Sequence, residues 1–159
     1  MGRVLVVYYS RTGHTRQVAE VIASLTDADT EEILEIAPRR GGFFGNIATS
    51  FESLGRKPSN IVATTRDPAD YDLVLIGTQV WAGSLTPPTR AYLAARGTSI
   101  GRYALFCTLG GMGSERVFGT IAHVVGHPPI ATVAIPQHTL SNGGFHMKVE
   151  SFVAALKSD

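Results

Sequence analysis

Six consecutive residues hold the densest ligand-binding chemistry in the chain: Ser10, Arg11, Thr12, Gly13, His14 and Thr15. Ser10, Thr12 and Thr15 offer three hydroxyls, and Gly13 lets the backbone come close to a ligand. Arg11, His14 and the following Arg16 can neutralise negative charge, or face solvent. The cluster sits between an apolar run, Val4-Leu5-Val6-Val7-Tyr8, and a helical pattern with apolar residues at Val18, Val21, Ile22 and Leu25. A buried strand, a hydroxyl-rich loop and a helix start together make an anion site. The first helical amides have no intrahelical acceptor and lie at the positive end of the helix dipole. A phosphate monoester fits that chemistry. An ordinary helix cap also favours Ser and Thr, but a cap does not call for three hydroxyls and a glycine.

Two further stretches share this loop-like character after an apolar run. The first is Thr78-Gln79-Val80-Trp81-Ala82-Gly83-Ser84-Leu85, which holds the only tryptophan. A tryptophan in a loop after a strand end is poorly placed for the core and well placed for a ligand. The second is Thr108-Leu109-Gly110-Gly111-Met112-Gly113. Other reactive residues have plainer readings. Cys107 ends an apolar strand and reads as core rather than as a redox thiol. His123, His127, His138 and His146 have no metal-ligand spacing with Cys or carboxylates, so no metal is expected. No nucleophile–base pair or paired carboxylate stands out, so no catalytic residue is assigned.

Composition narrows the class. The 159 residues are 44% hydrophobic and 17% charged, which predicts one globular domain with a sizeable core. Fourteen Lys+Arg against thirteen Asp+Glu give a net charge of +1, so no general preference for nucleic acid or another polyion is expected. A single cysteine cannot form an internal disulfide and suits a reducing compartment. Met1-Gly2-Arg3 leads directly into a strand, and no apolar run approaches the roughly 18 residues that span a membrane. The expectation is a cytoplasmic protein with no membrane association.

The elements that must position these loops follow from periodicity. Apolar runs predict strands at Arg3 to Tyr8, Tyr71 to Gly77, Tyr103 to Cys107 and Ile130 to Ile135. A weaker strand at Glu31 to Ile36 carries charge, as an edge strand would. Amphipathic spacing predicts helices from His14 to Leu25, over Phe44 to Leu54, from Thr86-Pro87-Pro88 onward, after a Ser114 cap, and over Phe145 to Leu156. Strict strand–helix alternation predicts an α/β fold, with a parallel sheet and helices on both faces. A five-stranded order of 2-1-3-4-5 would bring the loops after strands one, three and four to one edge of the sheet, where such folds bind ligands.

With the loops so placed, the sequence strongly resembles the flavodoxin family over essentially its whole length. The resemblance implies a flavodoxin-like three-layer sandwich and flavin mononucleotide (FMN) as cofactor. Ser10, Arg11, Thr12, Gly13, His14 and Thr15 look like the family's phosphate loop. Thr78, Gln79, Val80, Trp81, Ala82 and Gly83 look like the second loop, with Trp81 as stacking partner of the ring. Thr108, Leu109, Gly110, Gly111 and Gly113 look like the third, which lines the ring's other side. The Ala82-Gly83 peptide matches the one whose carbonyl meets the flavin N5, and Gly83 would take the positive φ of a type II turn there. Leu109 and Met112 stand where a second aromatic is often found. The short path from Ile135 to Phe145 matches the short-chain class.

Function then divides. The resemblance implies an electron carrier working through a non-covalent flavin between redox protein partners. The alternative is an FMN-dependent NAD(P)H:quinone-type oxidoreductase acting on a small acceptor. A third reading is a redox-silent flavin- or phosphate-binding interaction module. Near-neutral charge departs from acidic carriers, which steer to basic partners, while no separate nicotinamide site is visible. Residues 37 to 46 are expected near the rim, with Arg39, Arg40 and Phe43 as candidates for a partner or substrate contact, while Phe44 reads rather as joining the second helix to the core. The oligomeric state is left open.

Overall fold

A computed structural model of the protein describes residues 2–36 and 60–158. The helix expected over 44–54 and the rim residues Arg39, Arg40, Phe43 and Phe44 lie outside the described residues.

Five strands run parallel: β1 (Val4–Tyr8), β2 (Asp29–Glu32), β3 (Leu73–Trp81), β5 (Tyr103–Leu109) and β6 (Thr132–Pro136). Their order is β2-β1-β3-β5-β6, the arrangement expected from the alternation, with one addition. A two-residue strand, β4 (Ser84–Leu85), folds back antiparallel on the end of β3. The helices are α1 (His14–Thr26), α2 (Pro87–Arg96), α3 (Ser114–Val125) and α4 (Phe145–Lys157).

Alternation along the strands sorts the core into two layers. Leu5, Val7, Val74, Ile76, Leu105 and Cys107 face one side, with Tyr92 and Leu93 of α2 and Val117 and Ile121 of α3. Val4, Val6, Leu73, Leu75, Ala104 and Phe106 face the other, against Val18 and Ile22 of α1 and Val149 and Phe152 of α4. Both faces of the sheet are therefore covered, which is why its strands read as unbroken apolar runs.

The structure moves several boundaries, among them the starts of β3 and β6, which lie at Leu73 and Thr132 rather than Tyr71 and Ile130. Strand β2 occupies 29–32 rather than 31–36, because Asp29 to Glu32 pair with Leu5 to Tyr8, where β1 ends. The Ile33 amide makes one more bond to the Tyr8 carbonyl, and the chain then leaves the sheet. Strand β3 runs on through Trp81, so half of the expected second loop is strand. Strand β5 likewise continues through Thr108 and Leu109. Helix α3 is capped by Gly113 in a left-handed conformation, and Ser114 is its first helical residue, not its cap.

Candidate cofactor-binding site

The loops after β1, β3 and β5 all emerge at the carboxyl-terminal edge of the sheet. Loop one, Tyr9 to Gly13, ends with Gly13 at φ 91°, which opens α1 without strain because glycine has no Cβ. The Ser10 hydroxyl accepts from the Arg16 amide at 3.1 Å, and the Gly13 carbonyl accepts from the Gln17 amide at 2.9 Å. Among the described residues, no acceptor meets the backbone N–H groups of Thr12, Gly13, His14 and Thr15. Four successive donors at the positive end of α1 are thus available to one anion.

Gln79 braces this loop from β3. Its side-chain oxygen accepts from the Arg11 amide at 3.2 Å, and its amide nitrogen donates to the Thr12 hydroxyl at 3.3 Å. At 4% exposed it is a buried polar group with both ends used. Thr12 also lies 3.4 Å from Nδ1 of His14. Thr15 turns inward, and its hydroxyl sits 2.8 Å from that of Thr108, so a buried bond joins loop one to β5. Ser10 and Thr12 therefore remain the partly exposed hydroxyls of the three, while Thr15 contributes its amide.

Trp81 is the last residue of β3 and half-packed on the core. Its ring meets the Tyr9 ring edge-on, 5.8 Å between centroids at 78°, and the Arg11 guanidinium lies 5.6 Å from it. Such contacts are worth on the order of 1 kcal/mol each. Tyr9 is buried and donates its hydroxyl hydrogen to Glu35 at 2.8 Å. Tyr9 opens the loop expected from the sequence, but its pairing with Glu35 did not stand out, because it depends on β2 lying beside β1.

The turn after Trp81 differs from the expected type II. Ala82 at φ 48° and Gly83 at φ 67° are both left-handed, the pattern of a type I′ hairpin, whose twist matches the strands it joins. Ala82 holds a conformation that costs a non-glycine residue about 1–2 kcal/mol. Thr78 is fully buried, with its hydroxyl 3.2 Å from that of Thr86 and 2.9 Å from that of Thr89. It serves the start of α2 and faces away from the loop cluster. Val80 packs partly against the same core.

In loop three, Thr108 and Leu109 are buried strand residues, while Gly110, Gly111 and Met112 are exposed. Gly113 sits at φ 110°, and a Cβ there would lie 2.6 Å from the Gly83 Cα. Loops two and three thus touch backbone to backbone. Cys107 is fully buried, and burial, with a smaller contribution from Glu115, pushes its thiol up to about 12. It stays protonated and inert at neutral pH. No group of three or more His, Cys, Asp or Glu suited to a metal occurs among the described residues. No helix among them is long and apolar enough to cross a membrane.

No protein-family model matches the chain. Over 102 residues it is 31% identical to an NAD(P)H dehydrogenase (quinone) of Cupriavidus metallidurans, a match covering 61% of this chain and 48% of that protein. The matched region thus spans about half the length of that relative. Solved structures match more fully. A flavoprotein from Lactobacillus acidophilus NCFM, determined in complex with FMN, superposes with a TM-score of 0.74 at 23% identity, covering 89% of this chain and 98% of that one. Oxidised flavodoxin 2 from Bacillus cereus gives a TM-score of 0.63 at 16% identity, covering 98% of each chain. The sheet order, the helices on both faces and these superpositions agree: the chain has the flavodoxin-like fold.

Proposed function

We propose that the chain binds FMN non-covalently and acts as a flavodoxin-like electron-transfer protein. One observation carries this reading. The amides of residues 12–15, which meet no acceptor among the described residues, open a site whose loop is tied by Gln79 and Thr108 to the two strands that form its other walls.

The chain's own residues fit the group. The amides of Thr12 to Thr15, with the hydroxyls of Ser10 and Thr12, suit a phosphate dianion. Arg11 and His14 add positive or protonatable groups beside it. Trp81, held at an angle by Tyr9, supplies a flat apolar wall for a ring. Gly110, Gly111 and Gly113 offer backbone without side-chain bulk opposite. When bound, FMN would supply one- and two-electron redox chemistry, and the protein's part is to anchor it, keep water from one face and shape hydrogen bonding at its edge. The carbonyl of Ala82, on the turn beside Trp81, is the group assigned to that edge.

A second reading keeps a specific observation in its favour. The 31%-identical relative is named an NAD(P)H dehydrogenase (quinone), which supports direct reduction of the flavin by a nicotinamide and transfer to a small acceptor. The carrier reading is preferred because the flavodoxin and FMN-complexed flavoprotein structures match the chain over nearly its whole length, whereas the dehydrogenase match covers 61% of it and 48% of that protein. Redox proteins are then the partners.

Anaerobic stopped-flow mixing with NADH and NADPH separates the two. The carrier should stay oxidised for minutes with either nucleotide and should reduce in two resolved one-electron stages under photoreduction. Flavin bleaching within the mixing second would move the assignment to the reductase. Unchanged FMN fluorescence on adding the purified chain would refute both.

A further inference from the structure

A cavity of 390 Å³ opens between α2, α3 and strand β4, on the helix-covered face rather than at the loop-one anion site. It is lined by Ser84, Arg90, Arg116, Gly119, Thr120 and His123. Three of these carry or can carry positive charge, and none is a carboxylate. Arg116, Thr120 and His123 recur at intervals of four and three, so they share one face of α3. His123 stands in the last turn of that helix, where the negative end of the dipole favours a cation. Among the described residues, neither Arg116 nor His123 has a carboxylate partner.

Gly119 provides a second, independent observation. It lies mid-helix in α3, where glycine is the least favourable residue after proline. A Cβ built on it meets nothing within 4 Å, so no contact within the described chain excludes a side chain. Packing among the described residues gives no reason for glycine there. A side chain at this position would instead project from the cavity wall and take up cavity space.

We propose that this cavity is an anion site for a small phosphate-bearing molecule, held by Arg90 and Arg116 and given clearance by Gly119. The planar guanidinium fork matches phosphate geometry and stays charged at every working pH. The Thr120 hydroxyl donates to the Arg116 carbonyl at 2.8 Å, which leaves Ser84 as the hydroxyl donor. The volume lies at the small end of ligand pockets, so it suits a phosphate with a compact organic body. Ser84 follows directly on the Ala82-Gly83 turn, and an occupant would thereby steady the hairpin that carries Trp81. The inference rests on the cavity and its charges, and stands whether or not the loops bind flavin.

The test is an amide NMR titration of the full chain, with sodium pyrophosphate as probe. The spectrum reads both anion sites at once, through Gly119, Thr120 and Ser84 for the cavity and through Gly13 and Thr15 for loop one. Saturable shifts at the cavity residues are expected. Arg116→Gln, at an exposed position, should weaken them by about tenfold, as loss of one charge-assisted contact implies. Gly119→Leu should abolish them while leaving the thermal midpoint equal or raised. Ribose 5-phosphate should bind there more tightly than inorganic phosphate; equal affinity would overturn the organic body. Shifts confined to residues 10–16, or cavity shifts unchanged in Arg116→Gln, would overturn the site itself.

Discussion

The two edges of the sheet carry similar residue types and use them in opposite ways. At the amino-terminal edge, polar groups answer one another. Tyr71 donates to Asp29 at 2.8 Å and accepts from Arg66 at 3.3 Å, and Arg66 pairs with Asp29 at 3.3 Å. The Arg3 amide binds Asp72 at 2.7 Å while its guanidinium lies over the Tyr71 ring. Arg96 of α2 reaches Asp67 at 3.2 Å. At the carboxyl-terminal edge, Arg16 pairs with Glu32 at 2.7 Å and Tyr9 with Glu35, but the bonds made within loop one brace it and leave its backbone donors open. Gln79 and the Thr15–Thr108 pair hold loop one still, while amides 12–15 meet no acceptor among the described residues. The difference teaches how the fold separates holding from binding. One edge closes the structure, and the other spends its rigidity on an open set of donors.

Three substitutions would break or sharpen that contrast. The largest effect is expected from Gly113→Val, which forces a branched side chain into φ 110° and onto the Gly83 backbone. Overpacking and strain of about 1–3 kcal/mol should separate loops two and three and weaken FMN about tenfold to hundredfold, read by fluorescence titration. An affinity equal to wild type would show that the contact of the two loops is not part of the site. Next, Thr108→Val leaves the buried Thr15 hydroxyl without its partner, at a cost of about 1–3 kcal/mol in denaturant unfolding. The double variant with Thr15→Val should recover much of that loss, because both polar groups are then gone. If the double costs the sum of the singles, the bond is not what joins loop to strand. The smallest effect belongs to the closed edge. Tyr71→Phe removes two hydrogen bonds among partly exposed groups and should cost about 1 kcal/mol of stability. FMN affinity should not change, and a change would mean that the two edges are coupled through β1 and β3.

Much of the scaffold was legible because burial leaves a simple signature. The runs Val4 to Tyr8, Leu73 to Ile76 and Tyr103 to Cys107 are apolar at every pleat position, which only a doubly covered strand requires. Phe145, Val149, Phe152, Val153 and Leu156 are all buried on α4, as their spacing implied. The hairpin was harder to see. A type I′ turn is usually announced by Asn-Gly or Asp-Gly, and here Ala82 takes the first left-handed position. Thr78 and Thr108 looked alike as strand-end threonines, yet one serves α2 and the other grips Thr15. That division depends on which face of the pleat each occupies and on what has packed against it.

By itself, the sequence determined the alternation of strands and helices, the parallel order, and the hydroxyl-rich loop at a helix start from which anion binding by Ser10 to Thr15 is proposed. These follow from local periodicity, from chain-connection rules and from residue chemistry within a few positions. Only the tertiary structure decided that Gln79 braces loop one, that Thr15 bonds to Thr108, and that Gly113 rests on Gly83. It also brought Arg90 and Arg116 to one cavity. Each of these pairings joins residues far apart along the chain, and their side-chain geometry is set by register, twist and packing that no short stretch encodes.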